Sequence, residues 1–351
     1  MRTILSVIGT RPELVQSAPV SAALSGRCRE IILHTGQHYS AEMSGSLLTE
    51  LGVNVDRVLD VGSGSHAEQT ARTLVGVERT IIEERPDAVL LRGDTNSTLG
   101  AAIAAAKIGV PIVHTEAGVR SFDLTMAEEL NRLVVDRLAT VRCCSSERGV
   151  RNLAREGIAD GVSVTGDVTI DSVMANAPAE AEALAVAASF GVRPRDFSFA
   201  TIHRAANTDD PARLRGIIAG LGRVPAPVIL ALHPRTAAAM AREGIVPLDN
   251  VRVAGPLPYR TTLALLGLAL VCVTDSGGLQ KEAYAVGTPC VTVRDSTEWV
   301  ETISAGWNRL ARPDPDSIAA AVAEAKRLPE RPPLYGDGHA AQRIADAVLA
   351  A

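Results

Sequence analysis

Two doubly wound α/β domains are what this sequence predicts, and three observations predict them. At 351 residues the chain exceeds a single typical core. Short β-branched runs alternate with amphipathic helical stretches along its length, the signature of parallel strands with helical crossovers. Those runs form two series, separated by Asn176 to Ala188, an Ala/Glu-rich piece of low β-propensity that reads as a linker carrying a helix. The first series places strands at Ile4–Ile8, Ile31–His34, Ala88–Leu91, Ile112–His114, Thr140–Cys143 and Ser163–Val164. The second places them at Phe199–Ile202, Val228–Leu232, Val251–Ala254, Leu270–Val273 and Cys290–Val293. The boundary falls near residue 176, giving domains 1–175 and 176–335. Residues 336–351 read as a short helix that follows a crossing with Pro329, Pro332 and Pro333 and packs back on the first domain. Substrate is expected in a cleft between the two domains.

Composition narrows the function classes. With a net charge of −5, 46% apolar and 21% charged residues, the chain lacks the basic excess of a nucleic-acid binder. Aromatic residues make up 3%, so base recognition would rest on backbone, proline or aliphatic contacts. Cys28, Cys143, Cys144, Cys272 and Cys290 have no C-x-x-C pair and no metal-ligand spacing, and read as core thiols of a reducing, cytoplasmic setting. The N-terminal apolar run Ile4–Ile8 is too short for a signal peptide. Leu263–Val273, the longest apolar stretch, is interrupted by Gly267 and falls short of the roughly 20 residues a membrane helix needs, so no membrane partner is expected.

Chemistry-bearing residues gather where strands end, which is where open α/β sheets bind ligands. The stretch TDSGGLQKEAYAVGTPC runs from a strand through Ser276, Gly277 and Gly278 into a helix, the build of a phosphate seat. Glu282, one turn further on, suits the hydroxyls of a ribose, although an isolated SGG also fits a tight turn capped by serine. After the first strand come Arg11 and Pro12, either a phosphate-binding fork or a helix start with an exposed arginine. Asp94 follows the Ala88–Leu91 strand and either caps the next helix or, if Thr95 or Asn96 caps it, is left for catalysis. Glu116 tips the next strand and Glu128-Glu129 open the helix beyond, where an acidic residue commonly serves the helix dipole. Asp94, Glu116 and Glu128 converging on one mouth would repel one another, raise their pKa values and exchange protons with substrate. His203-Arg204 and His233-Pro234-Arg235 end two strands of the second domain and suit a diphosphate clamp. Gly62-Ser63-Gly64-Ser65-His66-Ala67 fits a dinucleotide fingerprint but is not at a first βα turn and lacks the later acidic residue, so it reads as a loop.

Taken in order, GTRPELVQSAPV, TGQHYSAEM, RGDTNSTLGAAIAAAKIGVPIVHTEAGVRSFD, AEELNR, VTGDVTID, TIHRAANTDD, HPRT, GPLPY, TDSGGLQKEA with RDSTEW, and YGDGHAAQRI resemble the non-hydrolysing UDP-N-acetylglucosamine 2-epimerases over nearly the whole chain. The resemblance implies a GT-B-like α/β architecture: two Rossmann-like doubly wound parallel-sheet domains with an interdomain cleft, in a homodimer. It implies a UDP-sugar substrate, UDP-GlcNAc interconverting with UDP-ManNAc or a related UDP-2-acetamido sugar, and no cofactor or metal. UDP is eliminated anti across C1 and C2, and returned to the bound 2-acetamidoglucal with a proton delivered to the opposite face. By similarity Asp94, Glu116 and Glu128 handle protons at C2 and His203 assists near the diphosphate. Arg11, Arg204, Ser276, Gly277 and Gly278 would hold phosphates with His233 beside them, Glu282 the ribose, and Pro256 to Tyr259 the uracil. Two positions depart from the family pattern: Gln16 stands where lysine is usual, and Ala206 where the His-Arg motif continues to glutamate. The first departure bears on phosphate or substrate affinity and the second on sugar-side hydrogen bonding. Rival readings are a hydrolysing relative, a GT-B glycosyltransferase and a non-enzymatic UDP-sugar sensor.

Overall fold

The computed structural model describes residues 1–36 and 47–351, so TGQHYSAEM lies outside the described residues from Gln37 onward. The chain divides into two compact units, Met1–Ala175 with Tyr335–Ala351, and Asn176–Leu334.

In the first unit seven parallel strands stand in the order β3-β2-β1-β4-β5-β6-β7. They are β1 Thr3–Ile8, β2 Arg29–His34, β3 Arg57–Val58, β4 Ala88–Arg92, β5 Ile112–Thr115, β6 Val141–Cys144 and β7 Val162–Val164. Side chains alternate between two buried faces, as expected of a covered parallel sheet. Leu5, Val7, Val89 and Leu91 pack to one side with Val77, Ile81 and Ala101. Ile4, Leu90 and Val113 pack to the other with Val20, Leu24, Ile344 and Val348, so the C-terminal helix Ala340–Ala350 completes this core. Asp171 fastens that helix by accepting hydrogen bonds from the N–H groups of Ala340 (3.2 Å) and Ala341 (2.9 Å) at its start.

Six parallel strands form the second unit in the order β10-β9-β8-β11-β12-β13. They are β8 Ser198–Thr201, β9 Val228–Ala231, β10 Val251–Ala254, β11 Cys272–Thr274, β12 Cys290–Val293 and β13 Asn308–Ala311. Phe197, Phe199, Ile229 and Cys272 bury against Leu265, Leu266 and Ala187. Ala187 belongs to the Glu180–Ser189 helix, so the segment expected as a linker is part of this unit's core. The strand expected from Leu270 starts at Cys272, and Leu270 is half exposed. All five cysteines are buried free thiols, and burial pushes those of Cys143 and Cys144 up to about 12. Among the described residues no helix is long and apolar enough to cross a membrane.

Candidate active site

Each sheet reverses its winding beside its first strand, and a ligand site is expected outside the strand ends at such a point. In the first unit that point lies between β1 and β4. Gly9 follows β1 so close to the end of β2 that a Cβ there would sit 2.6 Å from Thr35 Oγ1. Glu13 folds back under the start of the Arg11–Leu24 helix, and its Oε2 accepts the N–H groups of Gly9 (2.5 Å) and Thr10 (2.9 Å). Its Oε1 accepts the hydroxyl of Thr95 (3.0 Å), which ties β1's exit to β4's. Burial pushes the Glu13 pKa up to about 7, with Asp94 adding to the rise and these hydrogen bonds opposing it. The Arg92 guanidinium, buried at the tip of β4, makes no side-chain hydrogen bond among the described residues and faces the charges of Glu13 and Glu30.

Thr95 caps the Asn96–Ile108 helix by accepting the N–H of Thr98, so Asp94 is spared that role. Asp94 pairs instead with the Arg132 guanidinium, while Asn131 Nδ2 donates to the Asp94 carbonyl at 2.8 Å. Arg132 is held in turn by Glu129 at 3.1 Å. Glu129 also accepts the N–H groups of Ser121 (2.8 Å) and Phe122 (2.9 Å), so it secures the loop before the Ala127–Leu138 helix. Its neighbour Glu128 is half-buried, and its carboxylate makes no hydrogen bond or ion pair among the described residues.

Glu116 leaves β5 with a φ of 60°, the left-handed region that a residue with a side chain occupies only at a cost. Its Oε1 accepts Gln16 Nε2 at 3.0 Å. Its Oε2 lies beside Gly93, where a Cβ would come within 3.4 Å. Asp94 and Glu116 thus share the ends of neighbouring strands. Beneath them His114 reaches from Asp136 Oδ1 (2.7 Å) to the carbonyl of Gly93 (2.8 Å) and braces the loop that carries Asp94. Burial alone would raise the Asp136 pKa, but His114 and Arg120 hold it below the usual carboxylate range. Gln16, the departure expected to bear on phosphate or substrate affinity, gives its amide to Glu116.

In the second unit the winding reverses between β8 and β11. Asp275, fully buried at the end of β11, accepts the N–H groups of His203 (3.0 Å) and Arg204 (2.9 Å) and Asn207 Nδ2 (3.0 Å). Burial opposes its charge, yet the His203 ring at 3.3 Å and these donors hold its pKa low. The His203 and His233 rings lie with centroids 5.6 Å apart. His233 is the N-cap of the Pro234–Glu243 helix and accepts the N–H of Arg235. Ser276 caps the Gly277–Val286 helix by accepting the N–H of Leu279 at 3.3 Å. A Cβ at Gly277 would stand 3.3 Å from Trp299 Nε1, and Lys281 Nζ lies 4.2 Å from the Trp299 ring centroid on its other contact. Arg204 approaches Glu298 at 3.9 Å, and Arg294 pairs with Glu298 at 2.8 Å. Ser276, Gly277, Gly278 and Glu282 are half-buried at this helix start.

Other expected residues are more dispersed. Arg11 is exposed in the first turn of its helix and Pro256 is exposed after β10, whereas Tyr259 is buried in the first turn of the Tyr259–Leu268 helix. Glu13, Asn131, Arg132 and Asp275 lie within the quoted motifs but were given no role from them. Only Glu13 carried a local signal, the Thr10-x-x-Glu13 spacing of a capping box. Among the described residues no three His, Cys, Asp or Glu side chains gather as metal ligands.

A family model described as UDP-N-acetylglucosamine 2-epimerase matches residues 22–349. A UDP-2,3-diacetamido-2,3-dideoxy-D-glucuronate 2-epimerase of Pseudomonas aeruginosa is 41% identical over 354 residues, covering 98% of each chain. A UDP-N-acetylglucosamine 2-epimerase of Methanocaldococcus jannaschii is 34% identical, covering 96% of each. The crystal structure of the M. jannaschii enzyme in complex with UDP-GlcNAc and UDP superposes with a TM-score of 0.92 at 32% identity over 100% of both chains. The Neisseria meningitidis UDP-GlcNAc 2-epimerase bound to UDP-GlcNAc gives 0.89 at 26% identity, over 99% of this chain and 100% of that one. The seven- and six-stranded sheets match the Rossmann-like, GT-B-like fold of these structures.

Proposed function

The chain belongs to the UDP-N-acetylglucosamine 2-epimerase family and is an isomerase, and on that premise we propose that it inverts C2 of a UDP-2-acetamido sugar by elimination and re-addition of UDP. The supporting observation is the pair of carboxylates on adjacent strand ends, Asp94 paired with Arg132 and Glu116 hydrogen-bonded by Gln16. A C2 proton is weakly acidic, so its removal needs a fixed base while the departing charge is held elsewhere. One carboxylate takes the C2 proton, the C–H electrons form the C1=C2 bond, and the C1–O bond breaks to release UDP. Re-addition of UDP at C1 occurs with protonation of C2 from the opposite face by a second acid. Asp94, Glu116 and Glu128 serve these transfers. Electrons balance within the sugar and its leaving group, so no redox cofactor enters.

Ser276, Gly277 and Gly278 present the start of a ten-residue helix to the diphosphate, with His203, Arg204 and His233 at neighbouring strand ends and Glu282 for the ribose diol. Arg11 supplies a further phosphate contact, Pro256 and Tyr259 border the uracil, and the working form is a homodimer. UDP-GlcNAc and UDP-ManNAc are the first substrate pair. A second reading, a sugar with a 3-acetamido group and a C6 carboxylate, is favoured by the 41% identity to the P. aeruginosa enzyme. Incubation of each UDP-sugar in deuterated water, followed by NMR, tests both. Inverted product carrying deuterium at C2 is expected. Free sugar without UDP-sugar product would instead support the hydrolysing reading, and no exchange with any UDP-2-acetamido sugar would overturn the proposal.

A further inference from the structure

Gln16 sits in a helical turn that the sequence makes irregular. Pro19 lies inside the Arg11–Leu24 helix and has no N–H for the carbonyl four residues earlier. That carbonyl belongs to Val15, and Ser172 Oγ, from the Val168–Asn176 helix, donates to it at 3.0 Å. The backbone next to Gln16 is thereby fixed from outside its own helix. Gln16 is 7% exposed, and the one side-chain hydrogen bond of its amide among the described residues goes to Glu116 Oε1 at 3.0 Å. Glu116 is the residue with the left-handed φ of 60°, so its backbone has few neighbouring conformations in which the side chain keeps its direction. Both side chains line a small cavity of about 10 Å³ with Thr115, Ser145 and Asp167. A space of that size holds no more than about one water molecule, and Gln16 itself is buried.

We propose that Gln16 is the positioning residue for Glu116: a neutral amide, anchored through the Pro19–Val15–Ser172 contact, that fixes the carboxylate's orientation for proton transfer without supplying charge to the substrate. The proposal rests on the reading of Glu116 as a proton-transfer group at C2. Gln16 therefore governs the chemical step and is not one of the residues that bind UDP. A hydrogen bond to a charged group is among the stronger ones, and losing it in a transition state costs about tenfold or more in rate.

The test uses Gln16→Met, close in size but without a donor, and Gln16→Lys, which restores one. Gln16→Met should lower kcat and C2 deuterium exchange about tenfold or more, with KM and UDP affinity within about twofold. Gln16→Lys should recover most of the lost kcat. Unchanged kcat in folded Gln16→Met, or equal losses in both variants, would overturn the proposal, as would a loss confined to KM. A packing role alone would lower the melting temperature while activity per folded molecule stayed constant. Crystal structures of wild type and Gln16→Met provide a readout independent of turnover: the Glu116 carboxylate should rotate away in the variant, and an unmoved carboxylate sinks the claim. Wild-type enzyme without C2 exchange would refute the functional reading, and the crystallographic comparison would still decide the role of Gln16.

Discussion

Glu13 shows how a buried carboxyl records its surroundings in the pH dependence of stability. Its folded pKa of about 7 exceeds the ordinary 4.5, chiefly through burial, so the folded chain holds this proton more tightly than the unfolded chain. The resulting stabilisation is present in full below pH 4.5 and is lost as pH rises through about 7. The stability of wild type relative to Glu13→Gln should therefore fall across that window by an amount on the order of a few kcal/mol and run flat above it. Urea unfolding at a series of pH values measures this, and parallel curves would mean that the Glu13 pKa is the same in the folded and unfolded chain. For the chemistry itself, Asp94→Asn, Glu116→Gln and Glu128→Gln should each lower turnover by roughly 10²-fold or more with the fold intact. Near wild-type rates in all three would remove them from proton transfer. Sequence motifs pointed to Asp94 and Glu116 because strand-end acidic residues stand out against apolar runs. The partners that hold them were not legible: Arg132 is 38 positions beyond Asp94 and Gln16 is 100 before Glu116, and only the folded sheet brings such pairs together.

At the scale of elements, parallel strands were most readable where both faces are buried and the strand is a short apolar run, as in Ala88–Leu91. Two edge strands were missed for the converse reason. Arg57–Val58 is only two residues long, and Asn308–Ala311 carries the exposed Arg309 and Leu310, so neither has an apolar pattern. Alanine in the Glu180–Ser189 helix hid a core contact, since a small side chain gives little hydrophobic signal where it packs closely. The C-terminal helix depends on Asp171, a carboxylate that accepts two N–H groups at the helix start despite partial burial. Asp171→Ala should cost about 1–2 kcal/mol, as the loss of a cap does, with Asp171→Asn intermediate. Hydrogen exchange should then show protection falling within Ala340–Ala350 before the rest of the first unit, and uniform loss would contradict this local role.

The whole molecule carries a family-wide activity on a surface that is partly its own. The Ala127–Leu138 helix, which carries Glu128 and Arg132, presents Leu130 and Val134 to solvent at 50% and 41% exposure. Phe122 and Leu124, in the loop before it, are 61% and 64% exposed. Exposed apolar side chains on successive turns of one helix suit burial against a partner. Residues 130 and 134 are one helical turn apart and form a ridge that can pack against its own copy about a two-fold axis, so the proposed homodimer is expected to form here. That geometry would couple assembly to catalysis, because the ridge and the Asp94–Arg132 pair share one helix. Leu130→Glu combined with Val134→Glu would set four carboxylates facing one another across the axis. Sedimentation equilibrium should report two chains for wild type and one for the double variant, with circular dichroism unchanged. Turnover should fall together with the dimer fraction and recover on raising protein concentration. A wild-type monomer, or a variant that remains dimeric, would place the assembly surface elsewhere and leave this apolar ridge without a partner of its own kind.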